Sequence, residues 1–226
     1  MAPPMETKRN VFITGGTGYM GSRLIAALLR RGHRVQALVR PGSEAKVPGG
    51  CAAVVGDALK AESYTAQVPP ADTFVQLVGT PNPNPRKAQQ FREVDLASGL
   101  AGIAAAKKAG VAHFVYVSVA HPAPIMQGYI QARAECEEAI RRSGMGATIL
   151  RPWYVLGPGH RWPYILLPMY AVASLLPRSR ETAQRLGLVT LRQMIAALVD
   201  AVEHPVQGVR LVEVPAIRDC QLTISD

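Results

Sequence analysis

The chain has 226 residues, 48% hydrophobic and 18% charged, which is the balance of an ordinary globular protein with ample core rather than a disordered segment. Its formal net charge is +9, yet no run of Lys or Arg exceeds two residues, so no basic stripe for nucleic acid is visible. No stretch reaches the ~20 apolar residues of a membrane span, and "MAPPMETKRN" carries no apolar signal core, so a cytoplasmic location is expected.

The apolar pattern then comes in short β-rich runs separated by helical stretches. "VFIT" (11–14) predicts a first buried strand, and "SRLIAALLRRG" (22–32) a helix stopped by Gly32. "RVQALVR" (34–40), "AAVVGD" (52–57) and "DTFVQLVG" (72–79) predict strands two to four, the last followed by the proline-rich "TPNPNP". Residues 86–109 read as one long helix closed by Gly110, "HFVYVS" (113–118) as strand five, 128–143 as a helix ended at Gly144, and "ATILRP" (147–152) as strand six. Thr190 caps an expected helix to about Glu203, and "GVRLVEVP" (208–215) predicts a final strand. Strands apolar on both faces, alternating with helices, imply an α/β doubly wound parallel sheet that binds ligands at its strand carboxyl ends. The expected organisation is a single Rossmann domain over 1–226, with 158–226 contributing a small C-terminal lobe.

"TGGTGYMG" (14–21) joins the first strand to the first helix, with Gly15, Gly18 and Gly21 spaced as GxxGxxG. Such a turn lets a pyrophosphate approach the backbone at a helix N-terminus, with Thr17, Tyr19 and Met20 beside it. At the end of strand two a carboxylate would hold ribose hydroxyls, whereas an arginine accepts a 2′-phosphate. The sequence there is "VRPGS", with Arg40 and Ser43, so NADP(H) is favoured over NAD(H). Asp57 and Ala58 at the end of strand three are placed to meet the adenine, and Leu77, Val78 and Gly79 at the end of strand four to line the ribose.

Together with "HFVYVS", Tyr129 in its helix and "ILRPWYVLGPG" (149–159), these motifs resemble the short-chain dehydrogenase/reductase superfamily, in its extended and atypical branches. The match runs from about residue 10 to 157, and is most similar to NmrA-like proteins and the cofactor-binding subunit of respiratory complex I. The resemblance implies a tyrosine acid, a lysine supporting it and a serine or threonine holding the substrate oxygen, with Pro152 near the nicotinamide. Here Tyr129 occupies the tyrosine position and Arg133 the lysine position, on one helix face at i+4. Arginine keeps the charge but not the geometry of lysine. Ala120 falls where the catalytic serine is expected, leaving Ser118 as a cofactor-lining residue, and Asp95 replaces an asparagine in the preceding helix.

Three cysteines, Cys51, Cys136 and Cys220, and the histidines at 113, 121, 160 and 204 show no metal spacing, so no metal is expected. "WPYILLPMYAVASLLP" (162–177), flanked by Arg161, Arg178 and Arg180, fits a lid over a substrate cleft, a membrane-surface or protein docking element, or plain core. Two functions remain in view. One is an oxidoreductase acting on a small apolar carbonyl or quinone-like substrate through Tyr129 and Arg133. The other is a redox sensor or assembly subunit that binds NADP(H) without turnover. A homodimer through the helices at 86–109 and 128–143 is an expectation from the resemblance.

Overall fold

The computed structural model describes residues 8–158 and 185–221. Its main sheet has seven strands, all parallel: β1 (Asn10–Thr14), β2 (Arg34–Val39), β3 (Ala52–Val55), β4 (Thr73–Gln76), β5 (His113–Val117), β6 (Gly146–Arg151) and, placed last by its pairing, the strand Val209–Glu213. A separate two-stranded parallel ribbon pairs β7 (Tyr154–Leu156) with β8 (Leu188–Thr190), so the final strand is β9. The spatial order β3-β2-β1-β4-β5-β6-β9 places a switch point between β1 and β4, where the first crossover leaves one way and the next returns the other.

Alternation along each strand sorts the core into two layers. Phe12, Phe74 and Phe114 are register partners on β1, β4 and β5 and stack in a row, with ring centroids 5.3 and 5.2 Å apart. They face α3 (Ala97–Lys108) and α4 (Gln127–Ser143), which supply Ile103, Ala106, Cys136 and Ile140. Their neighbours Val11, Ile13, Val75 and Val115 point the other way, into α1 (Gly21–Arg30) and α5 (Leu191–Glu203). Period-two side chains and helices on both faces are what a doubly wound parallel sheet requires.

Helix ends follow their local chemistry. Gly32, Gly110 and Gly144 all adopt left-handed backbone just past a helix. Thr190 forms a capping box with Gln193 at the start of α5.

Several boundaries differ from the sequence expectation. The third strand stops at Val55, because Asp57 turns the chain by accepting the Leu59 N–H on its own carboxylate at 3.0 Å. The fourth stops at Gln76 rather than Gly79. The long helix is broken into a 3-10 turn at Pro85–Lys87, α2 (Ala88–Gln90), a π-helical stretch at Phe91–Leu96, and α3. The final strand gives way at Val214 to α6 (Val214–Asp219), where Pro215 in the first turn suits a helix start and not a ladder. The apolar stretch 162–177 lies outside the described residues.

Candidate functional site

The strand carboxyl ends of β1, β4 and β5 open onto a cleft of about 410 Å³. Its lining joins the glycine loop (Gly15, Gly18, Tyr19, Met20, Gly21) to Leu77, Gly79, Thr80, Pro81 and Asn82 after β4, and to Val117, Tyr129 and Arg133. Residues singled out in four separate sequence stretches therefore line one cleft.

The glycine loop is built for close approach. Gly15 has φ +73°, and a Cβ there would lie 2.9 Å from the Leu77 carbonyl carbon, so both conformation and space demand glycine. At Gly21 a Cβ would overlap the Gly15 carbonyl oxygen. The N-cap of α1, Met20, makes no side-chain capping bond, and the first turn contains no acid. The Ser22 N–H bonds back to the Gly18 carbonyl at 3.2 Å, and no side chain or acid competes with an anionic ligand for the positive end of the helix dipole at this loop. This cradle and its donor set fit the pyrophosphate of a dinucleotide.

The far end of the cleft belongs to α4. Tyr129 is half-buried, its ring tilted against Phe91 with centroids 4.9 Å apart. Arg133, one turn on, is almost wholly buried. Its Nη1 donates to the Val117 carbonyl at 2.8 Å and to the Tyr116 hydroxyl at 3.4 Å, and its Nη2 donates to Asp95 Oδ1 at 2.5 Å. The guanidinium carbon stands 5.1 Å from the centre of the Tyr129 ring, within cation–π range. Burial by itself would lower its pKa, but Tyr116, Tyr129 and Asp95 outweigh this and hold it above the ordinary arginine value. Burial pushes the Tyr116 phenol well up, so it stays neutral.

Two of the expected departures from the dehydrogenase/reductase pattern are therefore one feature: Asp95 and Arg133 are partners. The carboxylate also accepts the Thr80 N–H at 3.1 Å and the Thr80 hydroxyl at 2.6 Å. Sequence reasoning met Asp95 and Arg133 separately and missed Thr80. It missed as well a buried polar chain beneath the cleft, in which Thr14 donates to Gln76 at 2.5 Å and Gln76 to Ser98 at 3.2 Å. Polar residues at the ends of otherwise apolar strands were the available signal.

Other expected site residues lie further off. Arg40 is exposed just beyond β2, with Ser43 closing a turn onto its carbonyl at 3.0 Å. Asp57 and Ala58 are half-buried at the end of β3, and Thr17 is exposed on the glycine loop. Val78 is half-buried, and Pro152 is buried with its carbonyl accepting the Ala120 N–H at 2.9 Å. Ser118 is buried and does not line the cleft; its hydroxyl donates to Glu137 Oε1 at 2.6 Å. Glu137 also accepts from Arg151 Nε at 2.9 Å and Nη2 at 2.5 Å and from Arg141 at 3.2 Å, while His121 Nε2 stands 3.5 Å away without a hydrogen bond. Although burial opposes it, the hydrogen bonds from Arg151 and Ser118 hold the Glu137 carboxyl below its usual range.

Comparison with known proteins agrees with this geometry. A ceramide reductase from Caulobacter vibrioides is 29% identical over 216 residues, covering 92% of this chain; the chain spans 65% of that relative's length. The Bordetella bronchiseptica enzyme WbmH, solved with NAD+, superposes with a TM-score of 0.68 at 22% identity, over 90% of this chain and 75% of the other. A short-chain dehydrogenase/reductase superfamily protein from Agrobacterium tumefaciens, solved with NAD, gives 0.65 at 18% identity, over 90% and 77%. Among the described residues no helix is long and apolar enough to cross a membrane. Residues 15–164, from the first glycine of the loop to beyond β7, match the model described as NAD(P)H-binding, and the chain belongs to that family.

Proposed function

We propose that the chain is an NADPH-dependent reductase of a small, apolar carbonyl or quinone-like compound. The observation that carries this reading is the continuity of the cleft, which leads from the glycine cradle to a tyrosine backed by a buried cation. When bound, the nicotinamide supplies a hydride. Tyr129 is the acid that donates a proton to the substrate oxygen, and Arg133 provides positive charge beside the phenol as it ionises. Leu77, Pro81, Val117 and Met20 supply apolar walls for the substrate. The relative named ceramide reductase agrees with an apolar substrate. Preference for NADPH rests on Arg40, exposed at the end of β2 with no acid beside it before Glu44. Three free thiols fit a cytoplasmic setting.

A second reading, binding without turnover, is favoured by one observation: Ala120 offers no hydroxyl, and that of Ser118 is engaged by Glu137. Titration with NADPH and NADH, followed by NADPH oxidation against a carbonyl and quinone panel, separates the two. Oxidation should be seen, and Tyr129→Phe should lower kcat by about 10²- to 10⁴-fold with NADPH affinity unchanged. Tight binding with no oxidation of any panel member would establish the second reading.

A further inference from the structure

Asp95 is a buried carboxylate to which the proposed reaction gives no part. It is 1% exposed and sits in the π-helical stretch Phe91–Leu96 that interrupts the helix between β4 and β5. Such wide turns re-aim side chains relative to a continuous α-helix, and they recur at functional sites. Its two oxygens are divided between two walls of the cleft. Oδ1 takes Arg133 of α4, while Oδ2 takes both the N–H and the hydroxyl of Thr80 in the loop after β4.

The surroundings are fitted to that bridge. A side chain at Gly79 would run into Arg133 Nη2 and come within 3.1 Å of Asp95 Oδ1. Among the described residues lining the cleft, Arg133 is the one that carries a charge, and Asp95 meets that charge directly. The buried Nε–H of Arg133 has no hydrogen-bond partner among the described residues, so the guanidinium is held through Nη1 and Nη2 alone. A buried donor left unpaired is unfavourable. What the bridge secures is the place of the guanidinium, against the Tyr129 ring and at the end of a cleft that begins at the glycine loop.

We propose that Asp95 is a positioning residue: it fixes Arg133 in the cleft wall and ties it to the Thr80 loop, and the dinucleotide is held by this unit rather than by Arg133 acting alone. The inference rests on the dinucleotide-binding part of the reading above and not on turnover.

A double-mutant cycle on Asp95→Asn and Arg133→Gln tests it, read by NADPH titration of the folded protein and, separately, by urea unfolding. Each single variant should weaken NADPH binding about tenfold, and the double variant should bind no more weakly than Arg133→Gln. A pair that serves stability alone gives a different result. Asp95→Asn would then lower the unfolding midpoint while the folded protein binds NADPH within about twofold of wild type, and the proposal is overturned. Fully additive losses in the double variant overturn it too.

Thr80→Val removes only the hydroxyl donor to Asp95 and serves where Asp95→Asn does not fold. It should weaken NADPH binding about threefold in the wild-type background and not at all beside Arg133→Gln; equal losses in both backgrounds count against the bridge. A wild-type chain that binds NADPH but oxidises none ends the reductase reading and leaves this one standing.

Discussion

One helix, α4, carries two buried ion pairs a single turn apart, and they are built to different standards. Glu137 is saturated: Ser118, Arg141 and two nitrogens of Arg151 donate to it, and its partners reach β5 and β6. Arg133 holds Asp95 and the Val117 carbonyl but keeps an unpaired Nε, and it lines the cleft. A carboxylate whose oxygens are all engaged helps to rigidify a core, whereas the Asp95–Arg133 pair stands in the wall of a cavity. The difference teaches that two ion pairs of like burial on one helix can have unlike surroundings. Of these two pairs, the one formed by Asp95 and Arg133 faces the cleft.

That division can be broken by experiment. The largest effect should come from Glu137→Gln, which strands Arg151 as a buried, poorly compensated cation. Urea unfolding should show a loss of about 3–5 kcal/mol, with NADPH affinity of the folded protein unchanged. An affinity loss comparable to that of Arg133→Gln would erase the distinction between the two pairs. Gly79→Ala presses instead on the cleft-facing pair. It should cost about 1–3 kcal/mol of stability and weaken NADPH binding about tenfold, so it differs from the Glu137 variant in a smaller stability loss joined to a loss of affinity.

Acid titration adds a test confined to the core. Burial, with Arg210 and Arg9 nearby, lowers His113 from 6.5 to about 4. The folded chain then keeps the ring neutral while the unfolded chain takes up a proton first. Stability held above pH 6.5 should therefore drain away as pH falls towards 4. The depressed Glu137 carboxyl acts in the same direction lower down, its contribution being lost as pH falls through its folded value. His113→Gln should flatten the first part of the decline, measured as urea midpoints across that range, and leave NADPH binding unaltered. The smallest effect is expected on the exposed rim: Arg40→Ala should weaken NADPH binding about fivefold to tenfold, with NADH binding and stability unmoved. Equal losses for both dinucleotides would remove Arg40 from the 2′-phosphate site.

What could be read from the sequence was what is local in the chain. The glycine loop announces itself because strand, turn and helix are consecutive, and Gly15 is fixed by backbone geometry that few other residues can adopt. Phe12, Val75 and Val115 betray their strands by standing in short apolar runs, and Thr190 its helix as a cap. The Asp95–Arg133 pair was invisible because its members stand 38 residues apart and belong to different helices, so each alone looked like a lost support. The π-helical stretch that aims Asp95 has no composition cue of its own. The β7–β8 ribbon was missed because three-residue strands are too short to show a period.

The pairing of β6 with β9 has a consequence for how the chain is made. Every strand from β1 to β6 can take its place in the sheet as synthesis proceeds, but β6 has no outer neighbour until Val209–Glu213 has emerged, more than fifty residues later. During that interval a buried-type strand, Ala147–Arg151, presents an open hydrogen-bonding edge. The nascent protein is thus most prone to stray association between the completion of its cofactor cradle and the arrival of its last strand. Release of a chain shortened before residue 209 would leave that interval permanently open.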